Sequence, residues 1–149
     1  MHQLAELPLR LTPTQKWVLG QEPVWRRELL PLIAERKAAQ EGALSVLELG
    51  SWEGASAAWL LTHCCDASPA SCLTCVDHLD HLSMPASAKR ADKFSYNMRV
   101  TALWPRVDLR VQFTVAALTA LLTERREWDL VYIDASHAAA DTLLDAMLA

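Results

Sequence analysis

The chain has 149 residues, a formal net charge of −4 and a hydrophobic content of 52%. That length suits one domain with a packed core, and the acidic balance argues against a general binder of nucleic acid or anionic membrane. No apolar run approaches a membrane span, and MHQLAELPLR lacks the basic start and apolar stretch of a signal peptide, so a reducing cytoplasm is the expected location.

Residues 1–42 read as an irregular lead-in with Pro8 and Pro13, then a helix over Glu22–Gln40 that Pro31 should interrupt, because proline cannot donate to the preceding turn. Glu41-Gly42 stops it. Residues 43–149 form a second unit. ALSVLEL (Ala43–Leu49) is a first strand and Ala55–Cys65 a helix. CLTCVD (Cys72–Asp77) is a second strand, and Pro85 to about Leu103 is mostly helical, with Lys89, Arg90, Asp92 and Lys93 on its wet side. Trp104-Pro105 breaks that helix. Val107–Phe113 alternates apolar and polar as a third strand, Val115–Glu124 is a helix, and Asp129–Ala135 is a nearly all-apolar fourth strand. A helix runs from His137 to the end of the chain. Alternation at these lengths predicts an α/β fold, a Rossmann-like parallel sheet with flanking helices.

All four cysteines lie between Cys64 and Cys75, two of them as C-x2-C. Zinc is conceivable from that spacing. Burial is the stronger reading, because Cys75 sits inside a strand and free cysteine is a good small core residue. The cysteines are expected to be reduced and metal-free.

Two of only four glycines stand at the end of the first strand, in VLELGSWEGASAAWLL. Parallel sheets bind ligands at the carboxyl ends of their strands. Gly50 permits a sharp turn and a close backbone approach, Gly54 lets the next helix start near the sheet, and Ser56 falls in that helix's first turn. Asp77 ends the second strand, placed to accept hydrogen bonds from ribose hydroxyls. The pattern is E-x-G-x-x-x-G-x-S. In the dinucleotide pattern G-x-G-x-x-G a glycine stands where this chain has Trp52, so a ligand without a pyrophosphate fits better.

These residues, with LTCVDHLD and WDLVYIDASHAAAD following in order, resemble the class I S-adenosylmethionine-dependent methyltransferases, nearest to the small-molecule O-methyltransferases and the methyltransferase domain 24 group. The resemblance implies S-adenosylmethionine as cofactor. Glu48 and Gly50 would line its methionine end, Ser51 and Trp52 match the pair after the glycine, and Ser56 would meet its carboxylate. Gly54 and Asp134 would also line the cofactor site, Asp77 would hold the ribose, His78 would lie beside the adenine, and Thr114 to Ala116 would touch the adenine edge. Asp134 matches an acid that binds Mg2+ in metal-dependent members, and His137 the general base. His137 is expected in the first turn of the last helix, where the dipole favours the neutral imidazole.

The family fold has about seven strands and further acids that complete the Mg2+ site, whereas four strands are read here. The resemblance thus implies the N-terminal, cofactor-binding portion of an enzyme acting on a small-molecule methyl acceptor, inactive by itself. The fourth strand would be an open apolar edge, a site for self-association. Two other readings stand beside it: a non-catalytic Rossmann-like module that pairs with a partner through that edge, and a nucleotide-dependent oxidoreductase, against which Trp52 counts.

Overall fold

The computed structural model describes residues 6–12, 18–39, 42–65, 68–79 and 90–149. The elements are α1 (Glu22–Ala39), β1 (Ser45–Leu49), α2 (Ala55–Cys64), β2 (Cys72–Asp77), α3 (Arg90–Arg99), β3 (Val107–Val111), α4 (Thr114–Thr123), β4 (Leu130–Ile133) and α5 (Ala139–Leu148), with a 3-10 turn over Trp104–Arg106 before β3. The four strands form one parallel sheet in the order β3-β2-β1-β4. This is the α/β, Rossmann-like arrangement expected from the alternation of elements. Its consequence for function lies in the order: the chain moves outward from β1 to β2 and β3, then returns to place β4 on the other side of β1. The crevice between the ends of β1 and β4 is therefore a topological switch point, where open parallel sheets bind ligands.

Strand periodicity divides the core. Val46 joins Trp25, Trp59, Leu60, Phe94 and Met98 in a cluster between the sheet and α1, α2 and α3. Leu47 and Leu49 point the other way, onto Ala117, Leu118 and Leu121 of α4. Both faces of β1 are covered, which explains why Val46, Leu47 and Leu49 are apolar on either side of the strand and why even Glu48 is fully buried. Cys75 is buried in β2 and all four cysteines are free. Among the described residues no helix is long and apolar enough to cross a membrane.

Two expectations change. Helix α1 runs unbroken through Pro31. Pro31 is exposed, so water can serve the carbonyl that loses its partner, and the buried Trp25 and Ile33 on either side hold the helix to the core. The basic residues of α3 are not all on a wet face: Lys93 Nζ bonds Glu53 and Thr12, and the Arg90 guanidinium lies 3.6 Å from the centre of the Trp52 ring. The residues from Pro85 to Lys89, read as helical from sequence, lie outside the described residues.

Candidate functional site

The glycine turn begins where β1 ends. The Gly50 amide donates to the Val76 carbonyl at 2.8 Å, and the Asp134 amide donates to the Leu49 carbonyl at 2.8 Å. The ends of β1, β2 and β4 are thus locked together around Gly50. Its φ is +88°, and a Cβ there would lie 2.3 Å from the Asp134 carbonyl oxygen and 2.5 Å from the Ala135 Cα. The close approach expected of this glycine is made by the chain itself, where the backbone after β4 crosses it. Gly54 is also left-handed, at φ +82°, and admits the ends of the Met98 and Phe94 side chains.

Two cavities open over this turn and share Gly50, Trp52, Asp134, Ala135 and His137. The smaller, about 410 Å³, adds Ser51, Glu53 and Ser56 from the loop and α2, with Leu11 and Val18 from the N-terminal segment. The larger, about 630 Å³, adds Asp77 and His78 after β2, Phe113, Thr114 and Val115 after β3, and Asp145 of α5. The residues singled out from sequence converge here with three exceptions. Gly54 lines neither cavity and packs against Met98 and Phe94 instead. Ala116 lines neither cavity, and Glu48 lies fully buried beneath the floor.

Asp77 lines the larger cavity and ties it to the glycine loop. One carboxylate oxygen accepts the Trp52 amide at 2.8 Å and the other the Leu79 amide at 2.6 Å. A carboxylate has about four acceptor sites, so each oxygen keeps capacity for a ligand hydroxyl. The Trp52 backbone sits at φ +47°, a conformation its tie to Asp77 helps to hold. Ser51 Oγ and His78 Nδ1 are buried without hydrogen-bond partners. Buried polar atoms in native proteins are nearly always satisfied; the Ser51 hydroxyl lies close enough to Glu48 and Cys75 to affect both, whereas no partner stands at His78 Nδ1.

Beneath the floor, burial pushes the Glu48 carboxyl up to about 7, against the pull of Ser51, Ser56 and Cys75 and with a small push from Asp77. The Cys75 thiol lies 3.5 Å from Glu48 Oε2, while Oε1 makes no hydrogen bond of good geometry. At the far side, burial raises the Asp134 carboxyl above the usual carboxylate range, although His137 pulls it down. His137 Nε2 stands 3.5 Å from Asp134 Oδ1, with the imidazole side chain 86% exposed. Helix α5 begins at Ala139 with Ala138 as its cap, so His137 lies ahead of the helix rather than in its first turn. A short turn built on Ser136, whose hydroxyl donates to Asp141 at 2.8 Å and accepts the Ala138 amide at 3.2 Å, delays the helix start.

The methyltransferase domain 24 family (Methyltransf_24) matches residues 47–149. The chain belongs to this family. Its fold is that of the class I S-adenosylmethionine-dependent methyltransferases. Among solved structures, it is similar to the O-methyltransferase from Bacillus cereus in complex with SAH, at 26% identity and TM-score 0.51, over 88% of this chain and 49% of that one. Cofactor-bound Rv0187 from MTB is similar at 24% identity and TM-score 0.55, over 97% of this chain and 55% of that one. The O-methyltransferase TomG from Streptomyces achromogenes, involved in tomaymycin synthesis and solved with SAM, shares the fold at 16% identity and TM-score 0.59, over 96% and 63%. The chain spans about half the length of the first two. No curated protein matches it.

Among the residues that line the two cavities, sequence reasoning missed Leu11, Val18, Glu53, Phe113 and Asp145. Phe113 had a visible signal, an aromatic side chain directly after a strand. Asp145 had none. It sits among apolar residues of α5, yet its side chain is 1% exposed and its Oδ2 has no partner. Leu11 and Val18 lie far from the glycine turn in sequence and reach it only in the folded chain.

Proposed function

We propose that the chain binds S-adenosylmethionine across the two joined cavities and serves methyl transfer to an oxygen of a small molecule. The observation that carries this reading is the meeting of the cavities at Gly50, Trp52 and Asp134–His137, at the switch point of the sheet. The hydroxyls of Ser51 and Ser56 on the smaller cavity and the buried, unpartnered His78 Nδ1 on the larger fit a ligand with a polar amino-acid end and a polar base. Asp77 would accept the ribose hydroxyls, with His78 and Phe113 beside the base, their rings 5.1 Å apart. Ser51 and Ser56 would meet the methionine end. When bound, the cofactor supplies an electrophilic methyl group. His137 would take the proton of the acceptor hydroxyl as the oxygen attacks, and Asp134 would orient the imidazole. The described residues do not make up a Mg2+ site: no group of three or more His, Cys, Asp or Glu side chains converges among them, and Mg2+ wants six oxygens in near-octahedral array.

Calorimetry with S-adenosylhomocysteine tests the reading. The parent is expected to bind it and not NAD, and Asp77→Ala to bind roughly 10- to 150-fold more weakly, the equivalent of ~1.5–3 kcal/mol for hydrogen bonds to a charged acceptor. No heat from the parent with S-adenosylhomocysteine, or equal affinity in the variant, counts against the assignment. One observation favours a second reading, a binding module that associates through its sheet. β4 ends the sheet and its four residues are only half-buried. A concentration-dependent mass without cofactor binding would favour that reading instead.

A further inference from the structure

The segment before α1 is fastened to the glycine loop by a group of bonds that the proposed chemistry does not use. Glu53, between the two loop glycines, accepts the Thr12 amide on Oε2 at 2.6 Å. Its Oε1 accepts the Thr12 hydroxyl at 2.5 Å and Lys93 Nζ at 2.7 Å. Two residues back, Arg10 is held by Asn97: its amide donates to Asn97 Oδ1 at 2.7 Å, and Asn97 Nδ2 donates to the Arg10 and Glu53 carbonyls at 3.2 and 2.7 Å. The Arg10 guanidinium covers the Tyr96 ring at 3.8 Å. Leu11, between these two anchor points, lines the smaller cavity.

We propose that Glu53 is a positioning residue. It fastens residues 6–12 as an outer wall of the smaller cavity, and loosening this wall speeds the release of a ligand held against it. The physical reason is the setting of the carboxylate. Glu53 is nearly buried and Lys93 half-buried, and separating a buried pair without rehydrating both charges is costly. Every acceptor named above already has its donor, so the bonds hold the wall in place without help from a ligand. Glu53 also links two functions in one side chain. Its backbone lies in the loop that would hold the methionine end, while its carboxylate holds the wall facing that end. Leu11 of this wall, with Val18 nearby, gives the smaller cavity an apolar side, which suits an acceptor with an uncharged, apolar body.

The gating part of this inference rests on the cofactor reading above; the fastening part does not. Two measurements separate them. Hydrogen exchange followed by mass spectrometry reads the Arg10 and Thr12 amides. In Glu53→Gln they are expected to exchange roughly 10- to 100-fold faster than in the parent, with β1 amides unchanged. Stopped-flow dissociation of S-adenosylhomocysteine is expected to quicken by a similar factor. Thr12→Val leaves the Glu53–Lys93 pair intact and should show the same changes at about 5-fold, which keeps the test open if Glu53→Gln folds poorly. Glu53→Asp, which keeps the charge on a shorter arm, should recover part of the parent behaviour. Unchanged exchange at Arg10 and Thr12 in both Glu53→Gln and Thr12→Val overturns the fastening. Faster exchange with unchanged dissociation overturns the gating. Failure of the parent to bind S-adenosylhomocysteine overturns the cofactor reading and the gating with it, while exchange still decides the fastening.

Discussion

Gly50→Ala is expected to destabilise the fold by roughly 2–5 kcal/mol and to abolish ligand binding at the turn. Two costs add. An L-residue in the left-handed region costs about 1–2 kcal/mol, and the φ here is +88°. The new methyl group would also meet the Asp134 carbonyl oxygen and the Ala135 Cα at 2.3 and 2.5 Å, and forcing an extra methyl into packed space costs about 1–3 kcal/mol. Those atoms are backbone, so no rotamer change relieves them. The chain after β4 must move off β1, and the bond from the Asp134 amide to the Leu49 carbonyl goes with it. Domains are stable by only about 5–15 kcal/mol, so the loss is a large share of the total. Urea unfolding of parent and variant measures it. At Gly54 the new methyl would meet side-chain ends, Met98 Cε and Phe94 Cδ2 at 2.9 Å, so Gly54→Ala is expected to cost less. A Gly50→Ala protein within 1 kcal/mol of the parent would contradict the geometry of the crossing.

Glu48→Gln should change how stability depends on pH. The carboxyl titrates at about 7 in the folded chain and near 4.5 when unfolded. Between those values the folded state keeps a proton that the unfolded state has released. The stability this group contributes is therefore complete below about pH 4.5, declines as pH rises, and is lost above about 7. At 1.36 kcal/mol per pKa unit the loss amounts to roughly 3 kcal/mol. Glutamine stays neutral throughout, so the variant should match the parent near pH 4.5 and exceed it by up to about 3 kcal/mol at pH 8. Comparing the two proteins at each pH cancels the titration of all other groups. Parallel urea midpoints from pH 4.5 to pH 8 would show that Glu48 ionises freely in the folded chain.

Much of the scaffold was legible from local pattern. CLTCVD reads as a strand from its apolar run and is one, Cys72–Asp77. The alternation of strands and helices points to a parallel sheet, and the glycine pair after β1 points to a site at its carboxyl end. The family follows from three motifs in order. These features depend on neighbouring residues along the chain, through periodicity, turn conformation and helix starts, and a sequence displays such relations directly.

The electrostatic character of the site needed the fold. Glu48 and Glu53 are the same residue type, five positions apart on either side of one turn, and their fates are opposite. Glu48 faces the core between β2 and β4, where burial outweighs the nearby hydroxyls and raises its carboxyl. At Glu53 burial also pushes upward, but Lys93 and Thr12 outweigh it and hold the carboxyl below the usual range. Lys93 reads as a solvated helix residue until α3 is set against the loop, and Leu11 as part of an irregular lead-in until it closes a cavity. Helix α1 passes Pro31 because its buried side chains tie it to the core, and His137 precedes α5 because Ser136 builds a turn there. In each case the deciding partner arrives across the tertiary fold or through a local hydrogen bond that residue periodicity does not encode. The energy of a charge or a proline depends on that partner, so it was settled only when the sheet and its helices came together.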